Sequence, residues 1–201
     1  MNTVKLLLVP LFVIWSVSVA LSGTESNYEY IDMSKGDAQA KVTIVEYASF
    51  TCPHCATFHR EVFPKLKAEF IDSGKVHFIY REVYFDAPGL WAGLIARCAD
   101  ETKYFGLVDL LYLNQDKWII GSSETEILKN LVTIGSQAGL ERKQIGECLR
   151  NEKKALNLVK AFQENAKKDG ISSTPSFVIN GQLYKNVGYE SLKTEIENLL
   201  N

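Results

Sequence analysis

Two cysteines two residues apart, Cys52-Pro53-His54-Cys55, stand where one sequence periodicity gives way to another. Before them runs Val42-Thr43-Ile44-Val45-Glu46-Tyr47-Ala48, whose β-branched and alternating apolar residues read as a buried strand. After them Phe58, Val62, Leu66 and Phe70 recur at four-residue steps, one face of a helix. The pair therefore sits at a strand-to-helix turn, on the first turn of the helix.

That position has a chemical consequence. The first turn of a helix carries unpaired backbone N–H groups and the positive end of the helix dipole, so it favours a negative charge. A thiolate at Cys52 is stabilised there, which makes it a good attacking or leaving sulfur in exchange. Cys55 lies one turn further in, on the same side, within reach of a disulfide with Cys52. Pro53 suits an early helix position because its missing N–H has no helical partner there. His54, when protonated, adds a second positive group. The pattern points to a dithiol–disulfide redox centre.

Other uses of such a pair fit less well. A zinc site needs two further ligands at characteristic spacing, whereas Cys98 and Cys148 stand apart and no second CxxC exists. A c-type haem needs His directly after the second Cys, and Ala56 stands there. A plain structural disulfide rarely joins a two-residue-spaced pair at a helix start.

Residues 1–22 read as a secretory signal. Lys5 gives a positive start, Leu6 to Leu21 is almost continuously apolar, and small residues at Ser18, Ala20 and Ser22 fit a cleavage pattern. An uncleaved membrane anchor is the alternative, although the run is short for a span and carries Pro10. Either way the body of the protein is exported, which allows disulfides to persist. Without residues 1–22 the charge is 21 − 24 = −3, which argues against nucleic acid or an anionic membrane as partner.

The rest of the chain sorts into three stretches. Tyr28 to Met33 alternates like an edge strand, followed by a turn at Ser34-Lys35-Gly36-Asp37. Asp72-Ser73-Gly74 stops the redox helix, and Val76 to Val83 returns as a strand parallel to the first, a βαβ unit. From Pro88 to about Lys168 the spacings are helical, with a cap at Ser122-Ser123 and a fresh start at Leu140-Glu141-Arg142. In the last of these helices Leu156, Val159 and Phe162 form the expected apolar face, with Lys153, Lys154, Lys160, Lys167 and Lys168 on the solvated side. Strands then resume at Phe177-Val178-Ile179, Asn180-Gly181 signals a hairpin to Gln182–Val187, and Tyr189 to Leu200 closes as a helix. Thr174-Pro175 lies just before that hairpin.

This order, together with Cys52-Pro53-His54-Cys55 and the run Gly170-Ile171-Ser172-Ser173-Thr174-Pro175-Ser176-Phe177-Val178-Ile179-Asn180-Gly181, resembles the DsbA family of thiol:disulfide oxidoreductases. Within that family it is similar to the alphaproteobacterial type, which carries a second cysteine pair in its helical domain; Cys98 and Cys148 fit that pair. The resemblance implies an α/β class, a thioredoxin fold over residues 23–87 and 169–201 with an all-helical domain inserted at 88–168. It implies Cys52 as exposed nucleophile and Cys55 as buried resolving thiol. Thr174 and a cis-Pro175 would face them, Pro175 keeping metal out and the Thr174 backbone pairing with substrate. Glu46, six residues before Cys52, matches the buried acid beneath the dithiol, unless the strand turns it to solvent. Cys98 and Cys148 read as a structural disulfide, with two free thiols or a pair that tunes the active site as alternatives. His59 and His77 look incidental, and His59 is expected in solvent.

The implied activity is insertion of disulfides into reduced, unfolded exported proteins, with no cofactor or metal. A DsbB-like membrane quinone reductase would be the reoxidant. An isomerase or reductase is the alternative, but isomerases of the family generally oligomerise through an N-terminal extension, and the short polar stretch before Tyr28 favours a monomeric oxidase. A non-redox peptide- or zinc-binding module that kept the fold is the third reading.

Overall fold

In the computed structural model, residues 29–185 and 187–201 are described; the expected signal at 1–22 lies outside them. Among the described residues, five strands form one mixed sheet in the order β1-β3-β2-β4-β5, where β1 is Met33–Lys35, β2 Val42–Ala48, β3 Val76–Glu82, β4 Ser176–Ile179 and β5 Gln182–Lys185. β2 is central because nearly every residue in it can be buried on one face or the other. It runs parallel to β3, with Val42 opposite Val76, and antiparallel to β4, with Glu46 opposite Phe177. The parallel pair requires the crossover helix that begins at the CxxC sequence.

That helix is not continuous. It runs as α1, Pro53–Glu61, and α2, Phe63–Leu66, followed by a π-helical turn at Lys67–Ile71. Pro64 explains the interruption: it has no N–H to offer the Arg60 carbonyl one turn back, so a ladder bond is missing where α1 gives way to α2. Phe58, Leu66 and Phe70 still face the core as the four-residue spacing requires.

Between β3 and β4 the chain forms six helices: α3 Ala87–Ala96, α4 Glu101–Leu113, α5 Gln115–Trp118, α6 Glu124–Gln137, α7 Arg142–Leu149 and α8 Glu152–Lys168. Asp86, Asp100, Ser123 and Asn151 each cap a helix, their side-chain oxygens accepting backbone N–H bonds. The chain ends in α9, Tyr189–Leu200. The expected thioredoxin-type sheet with a helical insertion is thus the architecture found. The insertion and one sheet face share a single core, in which Phe50, Tyr80, Tyr104, Tyr112, Trp118 and Leu131 are buried together. On the other face Val45, Tyr47 and Val178 pack beneath Phe162 of α8.

Four local expectations need correction. The edge strand is Met33–Lys35 and not Tyr28–Met33: Tyr30 and Asp32 are taken up by Arg97 and Arg81, one as a ring under the guanidinium and the other as an ion pair. β5 ends at Lys185, short of Val187. On α8 Leu156 is 70% exposed, whereas Lys154, placed on the solvated side, is 8% exposed. Lys154, Leu158 and Ala166 are the buried positions of this helix, because the Lys154 ammonium donates to the Arg97 carbonyl. The fourth is His59, described with the site below.

One buried ion pair docks the insertion on the sheet. Arg97, at the end of α3, donates from Nε and Nη2 to the Glu82 carboxylate at 2.5 and 2.8 Å, and the Tyr104 hydroxyl donates to the same carboxylate at 2.6 Å. Next to Arg97, Cys98 is disulfide-bonded to Cys148, fastening α3 to α7. The hairpin at the far edge turns on Asn180 and Gly181, with φ of 44° and 88°, the positive values a two-residue hairpin turn requires.

Candidate functional site

Cys52 occupies the N-cap position of α1, with extended backbone (φ −80°, ψ 120°), and Pro53 is the first helical residue. The sulfur thus faces the open end of the helix, where backbone N–H groups lack helical acceptors. Both Cys52 and Cys55 are free thiols in this structure; Cys52 is partly exposed and Cys55 fully buried. The two behave oppositely. The Cys52 thiol is lowered from 9.0 to about 5, first by a hydrogen bond from Cys55, then by the Thr174 side chain and the backbone N–H groups of Cys55 and His54. Burial pushes the Cys55 thiol far up, helped by the bond it gives to Cys52 and by the nearby Glu46 charge. The His54 ring is exposed, and its contribution here comes from its backbone N–H.

Across from the dithiol the Thr174-Pro175 peptide bond is cis, and the Cys52 thiol reaches the Thr174 carbonyl at 3.4 Å. The Ser176 hydroxyl donates to the Ser173 carbonyl at 2.7 Å, bracing this loop where it enters β4. The loop before Cys52 is held from the insertion. Gln115 Nε2 donates to the carbonyls of Phe50 and Cys52 at 2.7 and 3.0 Å, and the Thr51 hydroxyl donates to Asp86 at 2.7 Å. A cleft opens between the His54 side of α1 and the cis-proline, lined by His54, Thr57, Phe58, Val62, Pro175 and Val187.

Glu46 lies fully buried beneath the pair, not in solvent. Its Oε2 is 3.0 Å from Nε2 of His59. His59, expected in solvent, is only 6% exposed, its ring stacked on Tyr112 at 4.3 Å and tilted against Phe63 at 5.0 Å. The signal for this was present: Cys55, His59 and Phe63 follow at four-residue steps, a stripe beside the one through Phe58. The structure therefore brings Cys52, Pro53, His54, Cys55, Thr174, Pro175 and Glu46 into one site and adds His59 and Gln115. Cys98 and Cys148 are paired with each other, away from that site, in the insertion. His77 lies on β3 and takes no part in it. Among the described residues no three His, Cys, Asp or Glu side chains are grouped to hold a metal ion.

Residues 30–198 match the family described as Thioredoxin. A Rickettsia conorii protein carrying the provisional name protein-disulfide oxidoreductase is 34% identical over 84% of this chain and 60% of its own length, so the chain spans under two thirds of that relative. Disulfide bond formation protein D of Bacillus subtilis is 30% identical over 81% of this chain and 74% of its own. Among solved structures, alpha-DsbA1 of Wolbachia pipientis superposes with a TM-score of 0.78 and 28% identity, covering 84% of this chain and 90% of that one. With the CxxC helix start, the facing cis-proline and the helical insertion all present, this chain belongs to the DsbA family of thioredoxin-fold thiol:disulfide oxidoreductases.

Proposed function

We propose that this protein is an exported dithiol oxidase that inserts disulfides into reduced, unfolded exported proteins by exchange through Cys52–Cys55. The observation that carries the reading is the opposition of the two thiols, Cys52 held down to about 5 and Cys55 held up by burial. A substrate thiolate attacks the accessible Cys52 sulfur of the oxidised protein, the S–S bond breaks, and Cys55 leaves and takes a proton. A second substrate thiolate then attacks the substrate sulfur of the mixed disulfide. Cys52 departs as a thiolate, a good leaving group because its conjugate acid is strong. The substrate is oxidised by two electrons and the protein is reduced. Since the helix terminus stabilises the reduced form, it makes the disulfide the more oxidising partner.

The cleft between His54 and Pro175, together with the Thr174 backbone, suits an extended peptide around the reacting cysteine, with Pro175 shielding the dithiol from metal. The apolar leader and the Cys98–Cys148 disulfide support an oxidising, periplasmic location. A DsbB-like membrane quinone reductase is the proposed reoxidant, and a monomer the proposed working form. The test is the equilibrium of Cys52–Cys55 with glutathione, paired with oxidative refolding of a reduced protein and rearrangement of a scrambled one. A potential well above that of thioredoxin (about −270 mV), with fast oxidation and slow rearrangement, supports the oxidase. A potential near thioredoxin's, or efficient rearrangement, overturns it in favour of a reductase or isomerase.

A further inference from the structure

Cys52 can act as a sulfur at an open helix end only while its own backbone stays where the helix needs it. The Phe50 carbonyl lies after β2 and before α1, so no ladder or helical N–H reaches it. Among the described residues its donor is Gln115 Nε2, at 2.7 Å. The Cys52 carbonyl accepts the first bond of α1 from the Ala56 N–H at 3.2 Å, and a second from the same Gln115 nitrogen at 3.0 Å. The Cys52 N–H donates to the Ser49 carbonyl at 3.1 Å. The main chain of the nucleophile is thus tied on both sides, and one side chain of the insertion supplies two of the ties.

Gln115 is itself fixed. It is buried on α5, a single turn braced by the Asn114 amide on the Leu110 carbonyl at 2.9 Å and the Trp118 indole on the Leu111 carbonyl at 2.8 Å. Both partners of the Gln115 amide are carbonyl oxygens, so the nitrogen with its two N–H donors must face them. The titratable groups around this entry are Cys55 and His54 of α1, Glu46 of β2, Asp86 before α3, and Asp116 and Lys117 beside Gln115. None of their side chains donates to either carbonyl among the described residues. The donors that favour a Cys52 thiolate, the Cys55 thiol and the backbone N–H groups of Cys55 and His54, meet the sulfur while Cys52 keeps φ −80° and ψ 120°. Turning the Cys52 peptide would swing the sulfur off them, and would first have to break the Gln115 and Ala56 bonds. A donor on the Cys52 carbonyl also draws off partial negative charge that would oppose a thiolate beside it.

From this arrangement we infer that Gln115 is a positioning residue for disulfide exchange: reaching from the insertion, it holds the Phe50 and Cys52 carbonyls and so keeps the Cys52 sulfur on the donors at the open end of α1. It touches no substrate and carries no proton. The insertion thereby sets the acidity of the nucleophile, and with it how strongly the disulfide oxidises. The second of these consequences rests on the exchange reading above; the first stands without it.

The test compares wild type, Gln115→Met and Gln115→Glu, each a full chain with Cys98–Cys148 intact. Gly36→Ala serves as a variant weakened at the opposite end of β2 and β3. Met has nearly the length of Gln and no donor. Glu keeps the shape, but ionised it donates nothing, and protonated it has one donor for two carbonyls. Alkylation of the reduced protein by iodoacetamide is followed across pH, with Cys55 shielded by burial. Wild type should titrate near 5. A lost hydrogen bond of ordinary net strength corresponds to about half a unit to one unit, so both Gln115 variants should titrate higher by that much, Glu at least as far as Met. Below the midpoints alkylation then falls about 3- to 10-fold, and at pH 7 the glutathione equilibrium shifts by the same factor toward the oxidised protein. Gly36→Ala should keep the wild-type midpoint. Wild-type midpoints in both Gln115 variants overturn the inference. So does an equal rise in Gly36→Ala, since that marks general loosening. In the folded wild type the Gln115 side-chain amide resonances should move with the Cys52 titration and stay still in Cys52→Ser. An amide that ignores that titration overturns the inference even where no Gln115 variant folds. A wild-type protein that exchanges no disulfide with glutathione overturns the function instead, a result separable from the alkylation profile.

Discussion

If the reduced protein is stabilised by a Cys52 thiolate, the gain must grow with pH in a defined window. The Cys52 thiol lies at about 5 in the folded protein against an ordinary 9.0. A depressed folded value contributes stability that is complete above 9.0, declines as pH falls, and is gone below about 5. At pH 7 two of those four units are in force, about 2.7 kcal/mol at 1.36 kcal/mol per unit. Cys52 is partly exposed, and solvent screening of such a group reduces this to about half, roughly 1.4 kcal/mol. For a chain of this size that corresponds to a melting shift of about 3–6 °C. The assay is thermal unfolding of reduced and oxidised protein from pH 4.5 to 8, with Cys98–Cys148 retained and verified by mass. The small ring closed by Cys52–Cys55 favours the oxidised form by an offset that does not vary with pH over this range, so the slope carries the information. The reduced form should gain about 3–6 °C on the oxidised form between pH 4.5 and 7. A flat difference, with thiolate absorbance rising only near pH 9, refutes the reasoning.

Three further outcomes follow from packing. Replacing both Cys98 and Cys148 by Ala opens a loop of 50 residues and should cost about 4 kcal/mol in urea unfolding on the chain-entropy account. Arg97→Met leaves the Glu82 carboxylate buried without its partner, and a loss of about 3–5 kcal/mol is expected in the same assay. Gly36→Ala should cost about 1–3 kcal/mol, because Gly36 has φ of 88° and a Cβ there would lie 2.3 Å from the Val76 carbonyl oxygen; unchanged stability would contradict both observations.

What could be read from the chain and what could not divide along one line. Cys52-Pro53-His54-Cys55, the β2 run, Asn180-Gly181 and the α9 face are local patterns, and each element follows from its own residues. His59, Gln115 and Lys154 take their places from partners far away in sequence. His59 is buried because Tyr112 of the insertion stacks on it, 53 positions on. Helix α1 offers two adjacent stripes, one through Phe58 and one through Cys55 and His59, and both are covered, from the sheet side and from α4. Periodicity reveals a stripe, but it does not reveal how wide a neighbour is. Lys154 shows the converse error: its charge suggested solvent, yet the Arg97 carbonyl at the end of α3 accepts from its ammonium and holds it inside. Leu156 is then turned outward.

The insertion is also part of the active site's construction. A cysteine at an N-cap is useful only if the chain entering the helix is held so that the sulfur stays at the open turn. The Phe50 and Cys52 carbonyls in that entry lie too close to the sheet's end for strand pairing to hold them. Gln115 of α5 bonds both, and Asp86 fixes Thr51 while its other carboxylate oxygen caps α3 through Gly89. Each anchor comes from the helical block or its first residue. The sheet supplies the buried acid and the facing Thr174-Pro175 loop, and the helices supply the grip on the nucleophile's backbone. Arg97 and Glu82 bind the two parts from within, so the block that holds Cys52 is fixed to the same strand, β3, that flanks Glu46. The opposed thiols, one held charged at an open helix end and one held neutral a turn below, are therefore a property of sheet and insertion together.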